Sequence, residues 1–183
     1  MYADARRRSG DDPAGAVADF RRARDTLFAT HPESPIAARA RPAFRGLAYW
    51  PYDPTLRFEL EVDTQVERVR ILMPMSRDEP VVAERCGRVC LPFGELDVFW
   101  LALYGGGLFL PFRDLTAGVT TYGGGRYLLD TIKGADLGGD DTRLVVDFNY
   151  AYHPSCSYDA VWSCPLAPKE NALPIAIEAG ERL

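Results

Sequence analysis

A change of hydrophobic period near residue 57 constrains this chain more than any other feature. Over residues 13–30, "PAGAVADFRRARDTLFAT", the apolar side chains recur at helical spacing. Val17, Phe20, Leu27 and Phe28 fall near one face, with Arg21, Arg22 and Asp25 elsewhere. Pro13 suits the first helical turn after Asp11 or Asp12. From Arg57 the period becomes two, and "RFELEV" alternates cleanly. Between these segments "HPESPIAARARPAF" holds three prolines, which cannot continue the helix and force extended chain.

Successive runs of period two follow. "VERVRILMPM" and "PVVAERCGRVCLPFGELDVFWLALYGGGLFLPF" read as strands joined by turns at Gly87, Gly94-Glu95 and Gly105-Gly106-Gly107. Phe99, Leu101 and Leu103 share one face of their strand, and Val98, Trp100 and Ala102 the other. A strand apolar on both faces is central and covered twice. "GRYLLDTI" and "TRLVVDFNYAY" add two more strands, and "LPIAIEAG" reads as a short last one. The fold class is therefore mainly β (α+β). An N-terminal amphipathic helix is expected on a seven- to nine-stranded antiparallel barrel or two-sheet sandwich. Residues 1–12 read as a flexible tail. Residues 13–183 read as a single domain: helix 13–30, a β-rich body over 45–150 and a Pro-rich closing segment over 151–183.

The 183 residues suffice to bury a sizeable core. A net charge of −5 argues against a nucleic-acid or anionic-membrane partner, which would favour a basic face. No apolar run reaches bilayer length and the start has no apolar signal core, so the expected location is cytoplasmic, with the four cysteines as thiols.

The densest set of reactive side chains is "DFNYAYHPSCSYDAVWSCPLAPKEN", residues 147–171. A strand over 144–152 would put Leu144, Val146, Phe148, Tyr150 and Tyr152 on one face. Val145, Asp147, Asn149 and Ala151 would occupy the other, followed by His153. That second face meets water or lines a cavity. Pro154 then ends the ladder. His153, Cys156 and Cys164 are soft ligands, but the paired short knuckles of a zinc site are missing, so no metal is assigned. A Cys156 thiol with His153 as base is a second reading, and two buried apolar-like cysteines a third. In "DLTAGVTTYGGGRYLLD", Gly123 to Gly125 precede Arg126. They suit either a glycine hairpin or an anion-holding nest beside a clamping arginine. Asp114 or Asp147 is the expected partner of Arg126.

Four motifs resemble the bacterial and archaeal family called domain of unknown function 1684. They are "FRRARDTLFATHPESPI", "FRDLTAGVTTYGGGRYL", "DFNYAYHPSCSYDAVWSCPLAPKENALPI" and the closing "EAGE". The resemblance implies a bacterial, mainly-β protein with an N-terminal helix, and it implies no activity. It directs attention to Asp114, Thr116, Tyr122, Arg126, Tyr127, Asp147, Asn149, Tyr152, Cys156, Tyr158, Cys164, Glu170 and Asn171, among others. The position of His153 is commonly Asn in similar sequences, which weakens a zinc or Cys–His role.

Three functions follow. Foremost is binding of a small molecule, favoured to be anionic, in a pocket of Arg126, Tyr127, Asn149, Tyr152, Tyr158 and Asn171. The second is an enzyme with Cys156 as nucleophile, Glu170 or Asp147 as acid/base and Asn149 as an orienting or oxyanion group. The third is a structural or interaction module. A small barrel could hold a flavin, though no residue pattern demands one, and the cofactor is left open. Pro165, Pro168 and Pro174 in "CPLAPKENALPI" should make that stretch a stiff strap across the sheet.

Overall fold

The computed structural model describes residues 1–8, 10–140 and 142–183. The chain opens with α1 (Tyr2–Arg8) and α2 (Pro13–Thr30). Asp12 caps α2 by accepting the Gly15 N–H at 3.0 Å, and Pro13 stands in the first turn, where its missing N–H costs nothing. α1 corrects the expectation of a frayed tail over 1–12. Tyr2 and Ala5 lie three apart on one helical face. Ala5 is buried, and the Tyr2 ring meets Phe20 edge-on at 4.8 Å. Arg6, Arg7 and Arg8 occupy the last turn of α1, where cations offset the negative end of the helix dipole.

Nine strands follow: β1 (Ala48–Tyr49), β2 (Arg57–Asp63), β3 (Arg70–Met73), β4 (Val81–Leu91), β5 (Gly94–Leu101), β6 (Gly107–Phe112), β7 (Arg126–Asp130), β8 (Arg143–Asp147) and β9 (Glu181–Arg182). Seven of them form one curled antiparallel sheet in the order β7-β6-β5-β4-β2-β8, with β3 also on β4. β1 and β9 make a separate two-stranded sheet. The architecture is a half-barrel with a small second sheet. The long β4 runs straight through Gly87, so that glycine is no turn. It sits at a β-bulge between Arg85 and Gly87, where an added Cβ would lie 2.5 Å from Val62. β4 pairs β3 before that bulge and β2 after it. A second irregularity falls between Leu110 and Pro111, as a proline without a ladder donor requires.

β5 is covered on both faces. Leu96 and Val98 enter the core that holds Leu110, Phe112, Val146, Phe148 and Ile177. Phe99 and Leu101 enter another with Met73, Phe109, Tyr127 and Tyr152. Trp100 is the exception to the expected pattern and is 46% exposed. A third cluster lies beneath the helices, where Phe20 packs edge-on against Tyr150 at 4.8 Å.

The closing segment does cross the sheet. Arg113 donates its N–H to Asn171 O, and Leu173 donates back to Arg113 O, each at 2.8 Å. The expected strand over 173–180 is not one; β9 comes later, at Glu181–Arg182. Among the described residues, no helix is long and apolar enough to cross a membrane.

Candidate functional site

β8 ends at Asp147, and a 3-10 turn over Phe148–Tyr150 replaces the expected strand continuation. Asp147 accounts for the break. Its Oδ1 accepts both the Asn149 backbone N–H (2.9 Å) and the Asn149 side-chain amide (2.8 Å), the local capture by which aspartate ends regular structure. Burial raises its pKa, against these two hydrogen bonds. Asn149 is fully buried and spends its other contacts on Asp53, whose N–H donates to Oδ1 and whose carbonyl accepts from Nδ2, both at 2.8 Å.

Asn171 repeats this device at the other end of the sheet. Its Oδ1 accepts the Asp97 N–H (2.9 Å), and its Nδ2 donates to Asp97 O (2.9 Å) and Pro111 O (2.7 Å). Each carboxamide pairs with one residue's backbone as a neighbouring strand would. Both side chains are thereby committed to holding the fold, not to lining a ligand pocket.

Arg126 is likewise committed. It is 1% exposed and binds Asp114 Oδ2 at 3.1 Å, one of the two partners the sequence left open. It also donates to the carbonyls of Ile177 (2.9 Å), Ala179 (2.5 Å) and Glu181 (3.2 Å). Its guanidinium stacks near Phe112 and Trp50. Burial lowers its pKa to about 10, with Asp114 opposing. The glycine run before it forms no nest. Gly125, at φ +94, lets the closing segment approach, since a Cβ there would stand 2.5 Å from Phe112 O and 2.7 Å from Ala167.

Tyr127 and Tyr152 are brought together, apart from Arg126, Asn149 and Asn171. They line a cavity of about 500 Å³ between α2 and the sheet, together with Tyr2, Arg24, Lys133 and His153. Arg24 is 8% exposed. Its Nη2 pairs with Glu181 Oε2 at 3.0 Å, and its guanidinium lies 5.0 Å from the Tyr152 ring centre and 5.1 Å from that of Phe28. Glu181 is 1% exposed, and burial raises its pKa against the pull of Arg24. Around this pair, Tyr2 Oη, Tyr152 Oη, Arg24 Nε and Glu181 Oε1 are buried without hydrogen-bond partners among the described residues. The Tyr127 hydroxyl is not free, as it donates to Pro165 O. Burial raises the pKa of both Tyr127 and Tyr152 well above the usual phenol range. Tyr158 packs edge-on against Phe28 at 5.0 Å, and its hydroxyl is also buried without a partner.

The cysteine group assembles separately. Cys156 sits in the turn Ser155–Ser157, and its N–H donates to Cys164 Sγ at 3.4 Å. Its own sulfur is 3.7 Å from Tyr122 Oη. The thiol contact with Cys164, then those with Ser76 and Tyr122, lower the Cys156 pKa to about 6 despite burial. The same contact, and burial, raise that of Cys164. His153 takes no part. Its Nε2 accepts the Tyr122 N–H at 3.2 Å, and burial and then the charges of Arg126 and Arg24 lower its pKa to about 3. A neutral imidazole committed to a backbone N–H is no base for Cys156. Among the described residues, no three His, Cys, Asp or Glu side chains converge as a metal site, so His153, Cys156 and Cys164 do not form one. Glu170 is exposed in the turn Lys169–Asn171, and neither it nor Asp147 hydrogen-bonds Cys156 among the described residues. The acid/base roles foreseen for them have no contact to act through.

The family model described as "Protein of unknown function (DUF1684)" matches residues 42–182. The chain belongs to that family. The solution NMR structure of the uncharacterized protein from gene locus rrnAC0354 of Haloarcula marismortui is 34% identical to it. The alignment covers 95% of this chain and 96% of that one, with a TM-score of 0.64. No curated protein matches the chain.

The cavity residue Arg24 and its ion-pair partner Glu181 escaped the sequence reading. Arg24 lies outside the DUF1684 match, on α2, yet at the spacing Val17–Phe20–Arg24–Phe28 it falls within the apolar stripe. A charge inside a stripe was the available signal. Glu181 closes the "EAGE" motif of the DUF1684 resemblance, but no period marked it as buried.

Proposed function

We propose that this DUF1684 protein binds a small molecule in the cavity between α2 and the sheet. One observation carries the reading: Arg24 Nε and Tyr152 Oη are both buried donors without a protein partner, and both residues line the same space. A buried donor left unpaired costs about 1–3 kcal/mol, which an acceptor on a ligand would recover. The walls are largely aromatic and aliphatic, from Tyr2, Leu27, Phe28, Tyr127 and Tyr152. Concave sites that mix such walls with a few placed polar groups suit small organic ligands. Glu181 already balances one edge of the Arg24 guanidinium, so the remaining Nε favours a carbonyl or a single carboxylate over a highly charged phosphate. Lys133, on the rim, is itself paired with Asp130 at 3.6 Å, and Glu33 also lines the cavity, so the preference rests on Arg24. In this reading the anion preference first assigned to Arg126 passes to Arg24.

The test is the mass of the native protein as purified beside that of the denatured chain. Excess native mass that disappears in Tyr152→Phe supports the reading. Excess mass that persists unchanged in Tyr152→Phe and in Arg24→Gln places the ligand elsewhere and contradicts it.

A further inference from the structure

We propose that Cys156 and Cys164 are a redox-active pair that closes to a disulfide at the expense of a small hydroperoxide and reopens with a thiol reductant. The proposal is independent of any ligand in the Arg24 cavity.

The geometry carries it. The Cys156 N–H donates to Cys164 Sγ at 3.4 Å, which sets the Cys164 sulfur against the residue that bears the other thiol. All four cysteines of the chain are free thiols here. The backbone around the pair is held from outside the loop that joins them: Ser76 Oγ accepts the Cys164 N–H at 3.0 Å, and the Ser76 N–H donates to Cys164 O at 2.9 Å. Cys164 and Ser155, the neighbour of Cys156, line a cleft of about 360 Å³ with Met75, Val81, Ile132 and Trp162, so an opening reaches Cys164 and the turn that carries Cys156.

The surroundings favour a thiolate on Cys156. Tyr122 keeps its proton, because burial and then Cys156 raise its pKa to about 12; the Cys156 thiol donates to its hydroxyl oxygen at 3.7 Å, and once the thiol has ionised the hydroxyl can donate back to the sulfur. A thiol of pKa about 6 is roughly nine-tenths ionised at pH 7. A thiolate whose pKa lies near ambient pH is also the most effective attacking sulfur.

In the first step the Cys156 thiolate attacks the distal oxygen of the hydroperoxide. The O–O bond breaks, an S–O bond forms, and the alkoxide or hydroxide leaves with a proton from solvent, leaving Cys156 as a sulfenic acid. In the second step Cys164 sulfur attacks Cys156 sulfur. The S–O bond breaks, the S–S bond forms, and the hydroxide leaves as water with the Cys164 proton. Two thiols lose two electrons, and the hydroperoxide becomes an alcohol, or water, plus water. A thiol reductant returns both electrons by exchange through a mixed disulfide.

Cys90 provides an internal control. It is exposed, but burial and then Glu95 raise its pKa, and its sulfur lies 3.8 Å from Glu95 Oε1. The reduced full-length protein is treated with a few equivalents of hydrogen peroxide at pH 7, quenched with iodoacetamide and mapped by peptide mass spectrometry without reduction. The expected first product is the Cys156–Cys164 crosslinked peptide, two hydrogens lighter and restored by dithiothreitol. Cys90 should oxidise later despite its exposure. In Cys164→Ser, dimedone should capture a sulfenic acid at Cys156; in Cys156→Ser, oxidation of Cys164 should slow by roughly tenfold or more. Earlier oxidation of Cys90, or a crosslink that forms only in urea, would overturn the proposal. Because either serine variant could misfold, the pH profile of the wild-type reaction gives a second test. A rate that is half-maximal near pH 6 and level above pH 7 supports the pair, whereas a rate still climbing through pH 8.5 contradicts it.

Discussion

Arg24 on α2 and Glu181 on β9 meet as a buried ion pair across 157 residues of sequence, with Nη2 and Oε2 3.0 Å apart. The same Glu181 Oε2 accepts the His153 N–H at 3.0 Å. One carboxylate therefore joins the helix, the chain end and the start of the cysteine-bearing loop.

Removing one member should cost more than removing both. Arg24→Met leaves Glu181 buried without its cation and should destabilise the fold by about 3–5 kcal/mol. Arg24→Met combined with Glu181→Leu should recover a large part of that loss. Urea unfolding of the two single variants and the double variant measures the coupling directly.

Asn171 should resist even an isosteric change. Asn171→Asp keeps the acceptor for the Asp97 N–H but removes the donors to Asp97 O and Pro111 O. It should cost at least about 2 kcal/mol at pH 7. A midpoint shift in chemical denaturation well below that size would show that the closing segment is held by something other than this clamp.

His153 should impose a pH dependence. Its folded pKa, about 3, lies below the unfolded value of about 6.5. The unfolded chain therefore binds this proton first as pH falls. The stability tied to the neutral imidazole is complete above about pH 6.5 and declines by up to about 1.4 kcal/mol per unit towards pH 3. His153→Asn should flatten that part of the stability–pH curve. Thermal unfolding from pH 7 to 4 reads the difference between the two slopes.

Glu170 should be dispensable. It is exposed and without a contact to Cys156, so Glu170→Gln should change stability by less than about 0.5 kcal/mol. The alkylation rate of Cys156 should be unchanged. A clear loss of Cys156 reactivity would restore the acid/base role once foreseen for Glu170.

The helix, the β-rich body and the strapping tail were legible because each leaves a periodic or conformational mark: the Val17–Phe20–Phe28 stripe, the alternation of "RFELEV", the prolines of the closing segment. The partner of Arg126 was legible only to within two aspartates, Asp114 and Asp147, and the structure pairs it with Asp114. Strand continuity past Asp147 was not. Period two persists through Tyr152, but Asp147 captures the Asn149 N–H and breaks the ladder, a local hydrogen bond that alternation does not register. Gly87 misled in the opposite sense, since a glycine can mark a bulge as readily as a turn. The candidate site shifted for a related reason. Arg126, Asn149 and Asn171 look like ligand groups because they are polar in apolar strands, and backbone carbonyls and amides far away in sequence consume them. Pairings at such separation leave no spacing to read.

The account turns on whether the Arg24 cavity takes an acceptor-bearing molecule. Its most direct test is the NMR signal of the Arg24 Nε–H group during titration with benzoate, as a simple aromatic carboxylate. The account predicts that this resonance moves and saturates together with those of Tyr2, Tyr152 and Lys133, and that Tyr152→Phe weakens binding by roughly fivefold, the worth of one hydrogen bond. An Arg24 Nε–H resonance that stays fixed while shifts gather at another surface would contradict it.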